Sequence, residues 1–418
     1  MTSYTREAQT KFLRGSHRLF YHLPPTAVPI KFSDVYQAFN ALINPMDSHK
    51  RFLTAVTNQV GTSNCYMTSS GRSALALILI TLKRHSARQK VILPAYTCPT
   101  VAQAVQEVGL VPIFCDVNPQ TLDLHRESLQ ALLSEDVLAI IPTYLYGLTQ
   151  DISYLTEIGQ ELGIYIIEDA AQAFGATIQA RMVGGLGDFG FFSLGFGKCV
   201  PGGGGGIIIT QDGYIPAMQR TIEQTTTAGS KRDIASLLRY VGYGIATTPL
   251  GWWFVARSPL NPAKHGMDLN ALPMIRYTNL SPTIAGIGTS ILERIDSINT
   301  VRRANAQRLK EILAQYEYIN MPTTPVDSQP VYLRFPIIVD TKNRADQLYG
   351  RLSKAGIGVS KSYTRILPEI FSITSDSRSQ GYVGAKHLAT CLLTLPTHAL
   401  LTTETFSIIQ NCFDSIDD

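Results

Sequence analysis

Two hydrophobic rhythms alternate along the first half of the chain. Short apolar runs occur at 65–68, 91–93, 111–115, 138–141, 165–167, 189–192 and 207–210, and they end in small or polar residues. Between them lie segments whose apolar residues recur at helical spacing, at 73–84, 100–108 and 152–162. Strand-length runs interleaved with helical segments predict an α/β fold with a mostly parallel sheet covered on both faces. Such sheets bind ligands beyond the carboxyl ends of their strands. The residues that directly follow the runs are therefore the candidates for chemistry.

Outside this region the rhythm changes. The first 30 residues are irregular, with Pro24, Pro25 and Pro29, and predict an N-terminal arm. The stretch 230–273 is apolar and aromatic, with Trp252, Trp253 and Phe254. It predicts interface or core packing, or a lid, ahead of a membrane-surface contact, because it lacks a dense basic face. From 284 to 316 the spacing of Ile287, Ile291 and Ile295 predicts one long helix. The last hundred residues read as an α+β unit: a strand at 331–339, a helix at 344–355, a turn at Gly356 and a final helix near 403–412. The resulting division is a large domain at 1–275 that includes the arm, and a small α+β domain at 276–418.

Composition narrows the classes. With 45% hydrophobic and 16% charged residues over 418 positions, the bulk of the chain is not disordered. A net charge of +4 without a local basic patch argues against nucleic acid. No apolar run reaches the length of a membrane-spanning helix, and the polar start has no signal-peptide core, so a cytoplasmic location is expected. The six cysteines form no CxxC pair, which predicts free thiols in a reducing compartment. The eight histidines lack metal-ligand spacing, so no metal is expected.

One ordered set of residues carries chemistry. The run 164–169 ends in Glu168 and Asp169; Gln172 follows, then GDFGFFS at 187–193, Lys198 and the glycines 202–206. One excursion and one strand separate Asp169 from Lys198, which brings both to the same sheet edge. An amine with a depressed pKa can condense with an aldehyde to form a Schiff base. A carboxylate can keep the ring nitrogen of pyridoxal phosphate protonated, making the ring an electron sink. Taken singly, the lysine is a solvated charge and the aspartate a helix cap. The set gains weight from Ser69 to Leu75, a small-residue turn between a strand and a helix that suits a phosphate. The glycine run would let backbone pass close to a cofactor.

These segments resemble the DegT/DnrJ/EryC1/StrS sugar aminotransferases, which are pyridoxal-phosphate enzymes. The resemblance rests on VILPAYTCP at 91–99 with GLVPIFCD at 109–116, IPTYLYG at 141–147, IEDAAQ at 167–172, GGLGDFGFFS at 184–193 followed by Lys198, and LPTH at 395–398. It covers roughly 48–412 and is strongest over 64–210. It implies a three-layer fold-type-I large domain, like that of aspartate aminotransferase, with a smaller C-terminal α+β domain. It implies that Lys198 binds the cofactor aldehyde and shuttles the proton, that Asp169 pairs with the pyridine nitrogen, and that Gln172 contacts the ring or its phenolic oxygen. Gly71, Arg72, Ser73 and Ser193 would sit at the phosphate, and Tyr96 and Cys98 at the ring. It also implies a homodimer with shared active sites.

Four positions depart from the family pattern. Arg72 stands where threonine is usual, Cys98 where an aromatic often stacks on the ring, and Tyr144 where histidine precedes L-Y-G. The partner-subunit asparagine of the family matches no residue cleanly, leaving Tyr277 or Asn279. Tyr144, Tyr277 and Asn279 are thus substrate candidates, together with Arg334 and Arg365 as anchors for a donor carboxylate. The implied reaction moves an amino group from a donor such as glutamate to a keto-sugar nucleotide or a related cyclic ketone. Two alternatives stay open: elimination, aldol-type or cyclisation chemistry on the same cofactor, and a non-catalytic regulator that binds it. Lys198 argues against the family's dehydratase branch, which carries histidine there.

Overall fold

The computed structural model describes residues 21–62, 64–227, 233–258, 274–371 and 381–416. Seven strands form the main sheet. In spatial order they are Cys65–Thr68, Gly206–Thr210, Phe189–Ser193, Tyr165–Asp169, Val137–Ile140, Lys90–Pro94 and Val111–Cys115. Only Gly206–Thr210 runs against its neighbours; the other pairings are parallel. The predicted runs become these strands because they are apolar on both faces, as a sheet sandwiched between helices requires. Val91, Ile92 and Leu93 are fully buried, as are Leu138, Ala139 and Ile140.

The helix Gly71–Lys83 is apolar nearly all round and buried from Ser73 to Leu79. It lies between the sheet and the helices Pro99–Glu107 and Ile215–Thr225. A helix without a polar face needs such cover. Ser153–Leu162 buries only Leu155 and ends on Gly163, whose left-handed backbone (φ +63°) stops the helix.

The long helix expected over 284–316 is two helices, Pro282–Leu292 and Ile295–Leu313. The break falls at Arg294, which leaves helical geometry (φ −128°, ψ 13°). Its guanidinium donates to Asp34 Oδ2 at 2.6 Å. Asp34 is fully buried and also accepts from the backbone N–H of Lys31 and the hydroxyls of Tyr240 and Ser290. This knot ties Phe32–Ile43 to Asp233–Ala246 and Pro282–Leu292. Pro282–Leu292, C-terminal to residue 275, packs on Phe32–Ile43 and Pro45–Val60 and is buried throughout its middle.

A second core gathers around the three-stranded sheet Ile319–Asn320, Phe335–Val339 and Leu392–Leu395, backed by Lys342–Lys354 and Thr403–Asp414. The strand expected from 331 starts only at 335, because Tyr332 takes a left-handed conformation (φ +46°) and bends the chain. The turn at Gly356 is present (φ +78°), and Leu23 of the arm pairs with it. His398 of LPTH is buried, and its Nε2–H donates to the Pro24 carbonyl at 2.8 Å. Burial pushes its pKa down to about 4. The aromatic stretch contributes two helices among the described residues, Asp233–Ala246 and Pro249–Arg257; the rest of 230–273 lies outside them. No helix among the described residues is long and apolar enough to cross a membrane, and the six cysteines are free.

Candidate active site

Asp169 ends its strand at the carboxyl edge of the sheet and is buried. Its Oδ1 accepts from the Ala171 N–H at 3.1 Å. Burial raises its pKa to about 6, against the opposing pull of the Lys198 ammonium. Lys198 closes a tight turn after Phe189–Ser193, its N–H bonding the Gly195 carbonyl at 3.2 Å. Gly197 has φ +76°, a conformation that suits glycine. The structure thus brings together the two residues singled out first.

Gln172 is fixed at both ends of its amide. Its Oε1 accepts from the Tyr146 N–H at 3.2 Å and its Nε2 donates to the Tyr363 hydroxyl at 3.5 Å. Tyr363 also meets Tyr96 edge-on, with centroids 5.4 Å apart, and Tyr96 and Tyr146 share a hydrogen bond of 3.1 Å. Arg334 faces this cluster of phenols, and burial lowers its pKa. One terminal nitrogen donates to Ser362 Oγ at 3.5 Å, while its buried Nε has no partner. Cys98 caps the helix Pro99–Glu107, its sulfur 3.1 Å from the Thr100 hydroxyl.

The helix Gly71–Lys83 points its N-terminus at Ser193. A Cβ on Gly71 would fall 2.9 Å from Ser193 Cβ, so only glycine allows this approach. Ser70 caps the helix by accepting from the Ser73 N–H at 3.0 Å. The glycine run comes close to this chain's own backbone: a Cβ on Gly206 would lie 2.3 Å from the Ser70 carbonyl oxygen, and Gly205 N–H bonds Ser69 O.

The other expected site residues have their contacts outside this cluster. Arg72 donates to Gln103 Oε1 at 3.1 Å and lies 3.9 Å from Glu107, so its guanidinium reaches along the neighbouring helix. Ser73 Oγ donates to the Arg276 carbonyl at 3.0 Å. Tyr144 is fully buried with its hydroxyl 2.6 Å from Glu168 Oε2, on the opposite face of the strand from Asp169. Arg365 is exposed and bonds the Glu369 carbonyl at 2.8 Å. Tyr277 and Asn279 lie on an edge segment paired with Thr227; Tyr277 is half-buried beside Glu107 and Arg72, and Asn279 is exposed.

Glu168 is a structural centre that the sequence pattern does not single out. Its carboxylate accepts from Tyr144, from Gly184 N–H at 2.7 Å, from Leu186 N–H at 2.6 Å and from Gly187 N–H at 2.8 Å. It clamps the loop leading into Phe189–Ser193, beside Asp169. The acidic pair in IEDAAQ was the available signal, since alternation sends neighbouring strand residues to opposite faces.

A mostly parallel sheet carrying a buried carboxylate and an amine at one edge, with a helix N-terminus opposite, is an α/β architecture whose candidate site lies at the strand ends. The model of the DegT/DnrJ/EryC1/StrS aminotransferase family matches residues 34–414, and the chain belongs to that family. The L-glutamine:2-deoxy-scyllo-inosose aminotransferase of Streptomyces fradiae is 32% identical over 272 residues, 64% of this chain and 57% of that protein. The GDP-perosamine synthase of Caulobacter vibrioides is 32% identical over 171 residues, 41% of this chain and 46% of that one. The chain thus spans less than two thirds of the length of these curated relatives. Among solved structures, the aminotransferase TlmJ from Streptoalloteichus hindustanus superposes with a TM-score of 0.74 at 20% identity, covering 94% of this chain and 98% of that one. This likeness establishes the fold, as does that to E. coli GDP-4-keto-6-deoxy-D-mannose-3-dehydratase with bound hydrated PLP, at a TM-score of 0.73 and 19% identity over 94% of this chain and 99% of that one.

Proposed function

We propose that this protein is a pyridoxal-phosphate-dependent aminotransferase acting on a cyclic ketone, either a polyhydroxylated carbocycle or a keto-sugar nucleotide. The observation that carries the reading is the Asp169–Lys198 pair at the sheet edge. The site suits the cofactor on its own chemistry. Asp169 is buried, its carboxyl pKa is raised to about 6, and its Oδ1 accepts from the Ala171 N–H. A cationic ring nitrogen would compensate that charge, since a buried carboxylate is costly until paired. The Gly71–Ser193 approach leaves a helix N-terminus and a hydroxyl for a phosphate. When bound, pyridoxal phosphate supplies an aldehyde to carry the amino group and a ring to take up an electron pair.

The chain's own groups do the rest. Asp169 would hold a proton at the ring nitrogen. Lys198 would hold the aldehyde, and its amine would move the proton between the reacting carbon atoms. Gln172, fixed at both ends, would border the ring, and Tyr96 and Cys98 stand on the neighbouring strand-end segment. Arg334, with its unpartnered Nε inside a phenol cluster, is the anchor for a donor carboxylate. The donor is an amino acid of the glutamine–glutamate type: glutamate was the expectation, and the relative from Streptomyces fradiae is named for L-glutamine. A second copy of the chain completes the site near Tyr277 and Asn279, and free thiols fit a cytoplasmic setting.

The test is reductive trapping. Protein loaded with pyridoxal phosphate and treated with borohydride should carry a pyridoxyl mass on the peptide containing Lys198, and Lys198→Ala should not. In a separate sample not treated with borohydride, glutamine or glutamate should bleach the loaded protein with one equivalent of 2-oxo acid released. Bleaching without oxo acid would exclude transamination.

A further inference from the structure

The segment that broke the strand–helix rhythm supplies one wall of the lysine loop. Tyr243, on the helix Asp233–Ala246, stacks on Phe196 with ring centroids 4.3 Å apart and planes at 13°. Phe196 sits two residues before Lys198. The ring stays 38% exposed, and the glycine run meets its tip: a Cβ on Gly203 would lie 2.6 Å from Phe196 Cζ. The ring therefore meets a helix on one face and, at its tip, a backbone that only glycine allows so near. The Tyr243 hydroxyl faces the Gly197 N–H and the Thr26 hydroxyl, both of which favour its ionised form against burial.

The helix that carries Tyr243 is itself anchored. Tyr240, one turn earlier on the same face, donates to the buried Asp34 at 2.9 Å. Gly244 brings the helix backbone against Ile30, where a Cβ would lie 1.9 Å from Cδ1. The outward face shows Ile234, Leu238 and Ile245. Tyr243 is thus rigidly presented to a turn built on Gly195 and Gly197, which has little stiffness of its own.

We propose that Tyr243 is a positioning residue for Lys198: its stack on Phe196 fixes the turn 195–198 so that the amine stays directed to Asp169. This rests on the reading of Lys198 as the cofactor-binding amine. It also gives a role to a region whose sequence pattern is compatible with a lid, an interface or packing. A reacting group displaced by about 1 Å can lose about 100-fold in rate, so a side chain that touches neither substrate nor cofactor can matter.

The experiment compares wild type with Tyr243→Ala, Tyr243→Phe and Phe196→Ala. Amide hydrogen exchange is read over 194–200, with and without cofactor, alongside the rate of the donor half-reaction. Tyr243→Ala should speed exchange of the 196–198 amides by about tenfold while leaving 165–169 unchanged. It should slow the half-reaction at saturating donor by about 10- to 100-fold, with donor KM within about twofold. Phe196→Ala should reproduce both effects, and Tyr243→Phe, which keeps the stack but loses the hydroxyl facing the Gly197 N–H, should keep the half-reaction rate near wild type and speed exchange at the Gly197 amide alone. Unchanged exchange and rate in a folded Tyr243→Ala would overturn the proposal. If Tyr243→Ala loses protection throughout, Phe196→Ala decides, since it leaves the Tyr240 anchor intact; wild-type behaviour there also overturns it. A wild-type protein with no trapped Lys198 would refute the cofactor reading instead, while the exchange measured without cofactor still decides the role of Tyr243.

Discussion

Asp169 should be a residue whose removal stabilises the cofactor-free protein while abolishing its activity. Burial raises its carboxyl from 3.8 to about 6, even with Lys198 pulling the other way. A raised carboxyl pKa means that ionisation costs more in the folded state than in the unfolded one. The shift of about two units, at about 1.4 kcal/mol each, corresponds to about 3 kcal/mol at pH 7. The sign follows from linkage. Below the unfolded value the group is neutral in both states and exacts no penalty. As pH rises through about 6 the full penalty develops. D169N removes the charge yet keeps an oxygen to accept from Ala171. In denaturant titrations of cofactor-free protein, D169N should therefore exceed wild type by up to about 3 kcal/mol at pH 7. The gap should narrow as pH falls from 6 towards 4. With cofactor supplied, D169N should bind it but lose most turnover, because the ring nitrogen is no longer held protonated. A variant less stable than wild type at pH 7, or a gap independent of pH between 4 and 7, would refute the electrostatic argument.

Two further outcomes test the neighbouring geometry. Gly71→Ala should weaken cofactor affinity with the fold retained, since the new methyl falls 2.9 Å from Ser193 Cβ and must push the helix N-terminus aside; titration of cofactor absorbance reads it. Tyr144→Phe removes one of four donors from Glu168 and should cost about 1–3 kcal/mol of stability, with donor and acceptor KM nearly unchanged. A large rise in acceptor KM without loss of stability would instead return Tyr144 to the substrate.

The hydrophobic pattern alone determined the layered sheet. Runs such as 91–93 and 138–141 are apolar on both faces, and a chain can bury both faces of a strand only inside a covered sheet. The order of Asp169, Gln172, Ser193 and Lys198 also determined the central pair, because residues at successive strand ends share one edge of such a sheet. Local pattern could not see contacts between distant segments. Arg294 breaks a helix that reads as continuous, for its partner Asp34 lies some 260 positions away in the chain. Arg72 lies at the start of a helix that suits a phosphate, yet Gln103 and Glu107 on another helix take its guanidinium. Glu168 and Asp169 look alike in sequence, and alternation along one strand sends the first into a loop clamp and the second into the site. The placement of Tyr243 over Phe196 belongs to the same class: it depends on how a helix with no motif docks on the sheet edge, and only packing decides that.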